Sequence, residues 1–217
     1  MDATLSRLSR IDDSVPFEIV VVDGGSTDNT VQKAKRFANR VYRIPERGIS
    51  KARNFGAKHA RGKVLLFLDA DVNPPPRCME RLVEVFKDSR IVGATCKIMP
   101  TQARMLEGIF FQFYNGLVRF ACKIRPHSRG EFLAVKKDIF LAVNGFDEDL
   151  PCLEDHDIAQ RLSKVGKFIF VDDVTVYESM RRFRTLGLFK VVGTWFIDYL
   201  FYVVRGKPLS ITWKPVR

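Results

Sequence analysis

Val64-Leu65-Leu66-Phe67-Leu68-Asp69-Ala70-Asp71 runs through five apolar residues and stops in two carboxylates separated by one alanine. Such a run reads as a buried strand, and the Asp-Ala-Asp as its exit at the carboxyl end. In open α/β sheets ligands bind in the crevice beyond the carboxyl ends of the strands, which makes Asp69 and Asp71 the first candidates for chemistry. Two neighbouring carboxylates repel unless a cation joins them. A hard divalent ion, Mn2+ or Mg2+, takes one or two carboxylates and completes its shell with water and phosphate oxygens, so a phosphorylated ligand is the expected guest. A competing reading, one Asp as a helix cap and the other solvated, stays open on this stretch alone.

The chain has 217 residues, 46% hydrophobic and 28% charged, enough for one core with a small appendage. It divides into a domain over residues 1–183 and an apolar, aromatic extension over 184–217. A net charge of +11 suits nucleic acid, an anionic membrane or phosphorylated ligands. No RNP, helix-turn-helix or zinc module accompanies it, which argues against nucleic acid. Cys78, Cys96, Cys122 and Cys152 are too widely spaced for a CxxC site or a disulfide framework, and residues 1–14 carry no apolar signal segment. A reducing cytoplasm is the expected location.

Upstream of the opening stretch, residues 3–10 carry an amphipathic helical pattern, broken by Asp12, Asp13 and Pro16. Phe17–Val22 predicts a strand that exits at Asp23-Gly24-Gly25-Ser26-Thr27-Asp28. The glycines permit a tight turn, and Ser26, Thr27 or Asp28 can cap a helix over 30–38. Asp23 thereby joins Asp69 and Asp71 in one crevice. Neither GxGxxG nor a P-loop pattern fits the glycines. A strand over 40–44 then leads into Arg47-Gly48-Ile49-Ser50-Lys51-Ala52-Arg53, with Ser50 as the expected cap of a helix reaching Ala60. Arg47, Lys51 and Arg53 near a helix amino end suit phosphate, with a solvated basic surface as the alternative.

Downstream, three prolines delay the next helix to 77–87, with Met79, Leu82, Val83 and Phe86 on its inner face. Residues 91–99 predict a strand. Over 103–122 a helical stripe of Met105, Leu106, Ile109, Phe110, Phe113, Leu117, Phe120 and Ala121 reads first as core, and alternatively as the lining of an apolar acceptor site. A strand over 130–137 and a short helix precede Glu154-Asp155-His156-Asp157, which opens a helix with Ile158, Leu162 and Val165 inward. Carboxylates crowded into one turn can hold a pKa suited to general-base work, although acids also favour helix amino ends. Strands over 168–171 and 174–177 close the fold, and Arg181 and Arg182 follow in a basic loop. Residues 186–204 predict an interfacial amphipathic helix. Lys190 and Asp198 count against a spanning one, and Trp195, Tyr199 and Tyr202 suit the interface; packing on the domain or in a dimer is the alternative.

In this order the stretches resemble a family 2 glycosyltransferase of the GT-A fold. The matching residues are Val22 to Asp28, the basic segment Gly48 to Gly56, Asp69-Ala70-Asp71, Gly145-Phe146-Asp147-Glu148, Glu154-Asp155 with Asp157, Arg161 and Leu162, and Ser179 to Arg182. The resemblance covers about residues 15–185. It implies an α/β fold with a single Rossmann-type mixed sheet flanked by helices, followed by an amphipathic C-terminal extension. It also implies a nucleotide-diphospho-sugar donor. Asp23, with Gly25 and Ser26, matches the nucleotide-contacting turn, and Arg47, Lys51 and Arg53 the basic donor-binding segment. Asp69 matches the position facing ribose or sugar, and Asp71, together with Asp69, the ligands of Mn2+ or Mg2+. Arg181 and Arg182 match the pyrophosphate clamp. Asp155 matches the inverting catalytic base, with Glu154 and Asp157 as fallbacks.

The function implied is sugar transfer to a membrane-associated, lipid-linked or polysaccharide acceptor, by a protein peripheral on the inner face of the cell membrane. Two departures matter. Relatives begin with a further strand whose turn walls the nucleoside pocket, and nothing before Phe17 resembles it. That predicts exposed strand edges, a weakened nucleotide site and repair by strand exchange or a homodimer, with a non-catalytic nucleotide- or partner-binding relative as the alternative. Glu178 stands where many relatives carry a His, which leaves a third metal ligand open.

Overall fold

The β-branched and leucine-rich runs become strands, and the periodic segments between them helices. In the computed structural model, which describes residues 2–11 and 14–210, α1 (Asp2–Leu8) precedes β1 (Val20–Asp23), α2 (Thr30–Ala34), β2 (Arg40–Arg43), α3 (Ile49–His59) and β3 (Val64–Leu68). Then follow β4 (Val72–Asn73), α4 (Cys78–Phe86), β5 (Ile91–Pro100), α5 (Met105–Ile124), β6 (Phe132–Lys136) and α6 (Lys137–Ala142). The chain continues through α7 (Glu154–Ser163), β7 (Lys167–Glu178), α8 (Arg181–Leu186) and α9 (Leu188–Arg205). The helix break expected at Asp12 and Asp13 and the tail carrying Lys214 lie outside the described residues.

The mixed α/β architecture is the one expected, with its sheet in two hydrogen-bonded parts. β1 and β2 form a parallel pair, and the remaining strands form a mixed sheet in the order β3-β6-β5-β7-β4. β5 and β7 run parallel; β3 with β6, β5 with β6 and β4 with β7 are antiparallel. β5 is buried on both faces. Ile98, Phe111, Phe132 and Val176 pack into one core cluster, and Leu133, Val135, Phe140, Ile158 and Leu162 into another. Fully burying each such side chain contributes roughly 1.5–3 kcal/mol. A smaller cluster of Leu5, Leu8 and Ala34 ties α1 and α2 to β1 and reaches Leu68 and Met79.

Several local expectations change. The two closing strands are one, β7, with a register shift opposite Cys96 and Lys97 that loops out the exposed Asp172 and Asp173. Arg181 and Arg182 open helix α8 rather than a loop. Ser50 lies inside the first turn of α3, whose cap is Gly48. Val83 and Val165 face outward at 38% and 56% exposure, while Val85 takes the inner place in α4.

The largest correction concerns α5. Most of its expected core stripe is outside: Met105, Phe113 and Phe120 are 82%, 65% and 62% exposed, while Phe110 packs half-buried against the core. The inner face is Glu107, Phe111, Asn115 and Val118. Asn115 explains the choice, because its amide donates to the Ile98 carbonyl at 2.8 Å and accepts from the Ile98 N–H at 3.0 Å, bonds that only the buried face can make. α9 is turned the same way. Trp195, Tyr199 and Tyr202 point inward onto Tyr114, Phe183, His127 and His156, not toward an interface. Asp198 is buried and accepts from the Ser210 N–H and hydroxyl, while Phe189, Phe196, Ile197, Leu200 and Val204 are exposed.

Candidate active site

The exits of β1 and β3 supply the first acids. Asp23, buried at the end of β1, accepts from the backbone N–H of Gly25 and Ser26 at 3.3 and 3.1 Å, and Arg43 Nε lies 3.5 Å away. The turn needs Gly25 at φ +94°, a conformation costly for any residue with a Cβ. Asp23 therefore holds the loop in shape. After β3 the chain passes through Asp69 and Asp71 into β4, where Val72 pairs with Glu178 of β7. That pairing brings the following helix, α8, over the acids. Arg181 Nη2 lies 3.5 Å from Asp71 Oδ2, both side chains half exposed. Arg182 sits in the field of Asp69 and Asp71; burial lowers its pKa and the two carboxylates work against that.

Arg53 is the hinge of the cluster. From the second turn of α3 its Nη2 donates to Asp69 Oδ1 and to the Gly130 carbonyl, both at 2.8 Å, and its Nη1 donates to Glu154 Oε1 at 3.0 Å. The guanidinium also lies over Phe146, 5.4 Å from the ring centre. Phe146 is placed by Asn54, one residue beyond Arg53. Asn54 accepts from the Phe146 N–H at 2.8 Å and donates to the Phe146 carbonyl at 2.9 Å. Gly145 makes this possible: its φ is +62°, and a Cβ there would stand 2.5 Å from Asn54 Oδ1. The basic segment and the Gly145-Phe146 turn are thus two halves of one latch, and Asn54 is a residue that sequence reasoning missed.

α7 brings Glu154 and Asp155 to the same place. Burial, then repulsion from Glu154 and Glu131, raises the Asp155 carboxyl well above the ordinary range, against the pull of Arg53. Asp69 is raised to about 6, first by burial, with Arg53 opposing. A second group, of which only Glu178 stands out in the sequence, stands behind them. Arg129 Nη2 pairs with Glu178 Oε1 at 3.0 Å and Glu131 Oε1 at 3.3 Å, and stacks over Phe111 and Tyr114. Burial raises Glu178 well above the ordinary range; at Glu131 burial pulls the same way, but Arg129 and a hydrogen bond with Glu178 together lower it. Glu178 is therefore turned inward.

Other expected residues stay outside the cluster. Asp157 is held by Arg161 Nε at 2.7 Å and by the Tyr202 hydroxyl at 3.0 Å, which makes it an anchor for α9. Lys51 pairs with Glu46 at the surface, and Arg47 is exposed. For a metal, the hard oxygens available at this site are those of Asp71 and Asp69. Among the described residues no three His, Cys, Asp or Glu side chains converge as a self-sufficient metal site. Such a set suits Mn2+ or Mg2+, which draw their remaining ligands from water and phosphate, and does not suit a four-coordinate zinc site.

The family model described as glycosyl transferase family 2 matches residues 2–124. A dolichol-phosphate mannosyltransferase from Pyrococcus furiosus is 38% identical over 93 residues, covering 41% of this chain and 26% of that protein. The succinoglycan biosynthesis protein ExoA from Rhizobium meliloti is 29% identical over 188 residues, covering 79% and 56%. Among solved structures, the mannosyltransferase PcManGT from Pyrobaculum calidifontis, in complex with GDP-Man and Mn2+, superposes with a TM-score of 0.69 at 24% identity over 91% of this chain and 60% of its own. Staphylococcus aureus TarS 1–349 in complex with UDP-GlcNAc gives 0.63 at 19% identity over 82% and 54%. The chain thus spans between 26% and 60% of the length of these proteins. The structures establish the fold as GT-A, and with the family model covering more than half of its length, the chain belongs to glycosyl transferase family 2.

Proposed function

We propose that the chain transfers a sugar, with inversion, from a nucleoside diphosphate donor to a lipid-linked or polysaccharide acceptor. The observation that carries this is the convergence of Asp69, Glu154 and Asp155 around one buried arginine at the β3 exit, with Asp71, Arg181 and Arg182 at the mouth. GDP-Man and UDP-GlcNAc in two structural neighbours support the donor class. Arg181 and Arg182 bind the diphosphate through planar, multidentate hydrogen bonds. Asp71, with Asp69, holds Mn2+ or Mg2+, which neutralises charge on the diphosphate when bound. Arg53 orients Asp69 and Glu154. Asp155, whose raised pKa makes its ionised form a strong base, removes the proton from the acceptor hydroxyl.

The exposed apolar faces of α5 and α9 support a lipid-linked acceptor and peripheral contact with the inner membrane face. No helix among the described residues is long and apolar enough to cross a membrane. The test is turnover of Asp155→Asn with nucleotide sugars and Mn2+. A loss of about 10²–10⁴ in kcat is expected, together with a wild-type rate that rises with pH as Asp155 ionises. Unchanged turnover removes Asp155 from the role. The edges of β1 and β3 left unpaired among the described residues favour a second reading, a chain that binds nucleotide without turning over. Retained binding of a nucleoside diphosphate with no turnover in the wild type selects it.

A further inference from the structure

The turn that carries Glu154 and Asp155 is entered through a strained residue. Leu153, the cap of α7, has a φ of +63°, a left-handed conformation that is costly for a residue with a Cβ and persists only where the surroundings hold it. The first turn of a helix also lacks intrahelical partners for its N–H groups, so its geometry depends on what packs around it.

α9 supplies that support on both sides of Asp155. Before it, Asp198 Oδ2 accepts from the Cys152 thiol at 3.9 Å, and Asp198 is itself pinned by the Ser210 N–H and hydroxyl at 2.8 and 2.7 Å. After it, the Tyr202 hydroxyl donates to Asp157 Oδ1 at 3.0 Å, while Arg161 Nε holds Oδ2 at 2.7 Å. Between the two, the buried ring of His156 meets the rings of Tyr199 and Tyr202 edge to face, with centroids 5.1 and 5.6 Å away. Residues 152, 156 and 157 thus each have a partner on the inner face of α9, and Asp155 stands among them. Its carboxylate accepts from the His156 N–H, so a displacement of that backbone displaces the acid.

A helix that only covered apolar surface would turn apolar side chains inward. Burying a carboxylate is costly unless it is hydrogen-bonded, so Asp198 marks a place where α9 does more than cover. Tyr202 marks a second, one turn further along the same face.

We propose that α9 positions Asp155 for transfer by clamping its turn from both ends, with Asp198 and Tyr202 as positioning residues that do not touch the reacting atoms. The effect on transfer rests on the proposed role of Asp155; the clamp itself does not.

Tyr202→Phe keeps the ring and removes only the hydroxyl. In the full chain, backbone amide exchange followed by NMR is expected to quicken about tenfold at His156 and at Asp157, whose N–H bonds the Leu153 carbonyl at 3.0 Å, with β5 unchanged. Turnover is read as release of GDP or UDP from GDP-Man or UDP-GlcNAc with Mn2+, water serving as the acceptor. In Tyr202→Phe, kcat is expected to fall about tenfold or more with the donor KM unchanged. Asp198→Leu should do the same, and Asp198→Asn, which still accepts a hydrogen bond, should restore most of the rate. In an Asp155→Asn background Tyr202→Phe is expected to cost nothing further, because it acts through that acid. Unchanged exchange at both amides, a raised donor KM at unchanged kcat, or the full loss repeated in the Asp155→Asn background overturns the proposal. So does an unchanged kcat in Tyr202→Phe where Asp155→Asn is impaired. A wild-type rate in Asp155→Asn refutes the base instead; the exchange at His156 and Asp157 then decides the clamp alone, as it does where the wild type turns over neither donor.

Discussion

Arg53 has no substitute among its neighbours. Its guanidinium serves Asp69, Glu154 and the Gly130 carbonyl at once in one planar fork, which the compact ammonium of a lysine does not reproduce. Arg53→Met leaves Glu154 buried without a counter-ion, and a loss of about 3–5 kcal/mol is expected by denaturant unfolding. Adding Glu154→Gln removes the orphaned charge and restores part of that stability; losses that simply add in the double variant refute the coupling. The acids of this site are legible in the sequence because each follows a strand or opens a helix, a local signal. The role of Arg53 is not. A basic residue near a helix amino end reads as a phosphate donor, and only the fold shows its side chain 10% exposed and engaged by two protein carboxylates. Arg129, Glu131 and Glu178 are less legible still, since Arg129 meets Glu178 across 49 residues of chain.

At the scale of elements, α5 and α9 show where periodicity stops informing. A 3.6-residue apolar period identifies the helix, but when both faces carry large apolar or aromatic groups it does not say which one faces in. In α5 the deciding residue is polar Asn115, and in α9 it is Asp198, whose charge in the sequence reads as a surface feature. The outward faces, flanked by exposed Arg104, Lys123, Lys190 and Arg205, are the surfaces expected to meet an anionic bilayer. Phe113→Glu and Leu200→Glu should each weaken partition onto anionic vesicles roughly tenfold or more, the scale of losing one buried apolar side chain, while leaving the fold intact. Unchanged partition in the double variant rules these faces out. The same helices meet α7 around His127 and His156, whose rings are 4.6 Å apart. Burial lowers His127 to about 4 and His156 to about 3 from an ordinary value of 6.5. The unfolded chain therefore binds protons that the folded one refuses. Stability from this interface is complete above pH 6.5 and is lost as the pH falls below it. A melting temperature that drops from pH 7 to pH 5, and drops less in His127→Gln, is the expected result; identical pH dependence in the variant refutes it.

At the scale of the molecule the two parts of the sheet differ in what holds them. β5, β6 and β7 lie between two core clusters and have partners on both sides, whereas β1 and β2 have each other, α3 and the small cluster around Leu5, Leu8 and Ala34. A two-stranded sheet is marginal without such packing. This division is foreshadowed in the sequence, where residues 3–10 carry a helical pattern. What the sequence does not show is that α1 lies against the gap and keeps β1 in place. The consequence is a hierarchy of opening. Amides of Val20–Asp23 and Arg40–Arg43 should exchange through a partial unfolding at a free energy several kcal/mol below the global value, while those of residues 93–98 and 132–135 wait for global unfolding. Leu5→Ala removes apolar contacts from the small cluster, and should lower the first free energy by about 2 kcal/mol or more while leaving the energetic gap between partial and global unfolding wider than in the wild type. Native-state exchange at increasing denaturant separates the two classes. If β1 and β2 exchange only with the rest of the sheet, the domain opens as one unit, and the cavity between β1 and β3 does not divide it.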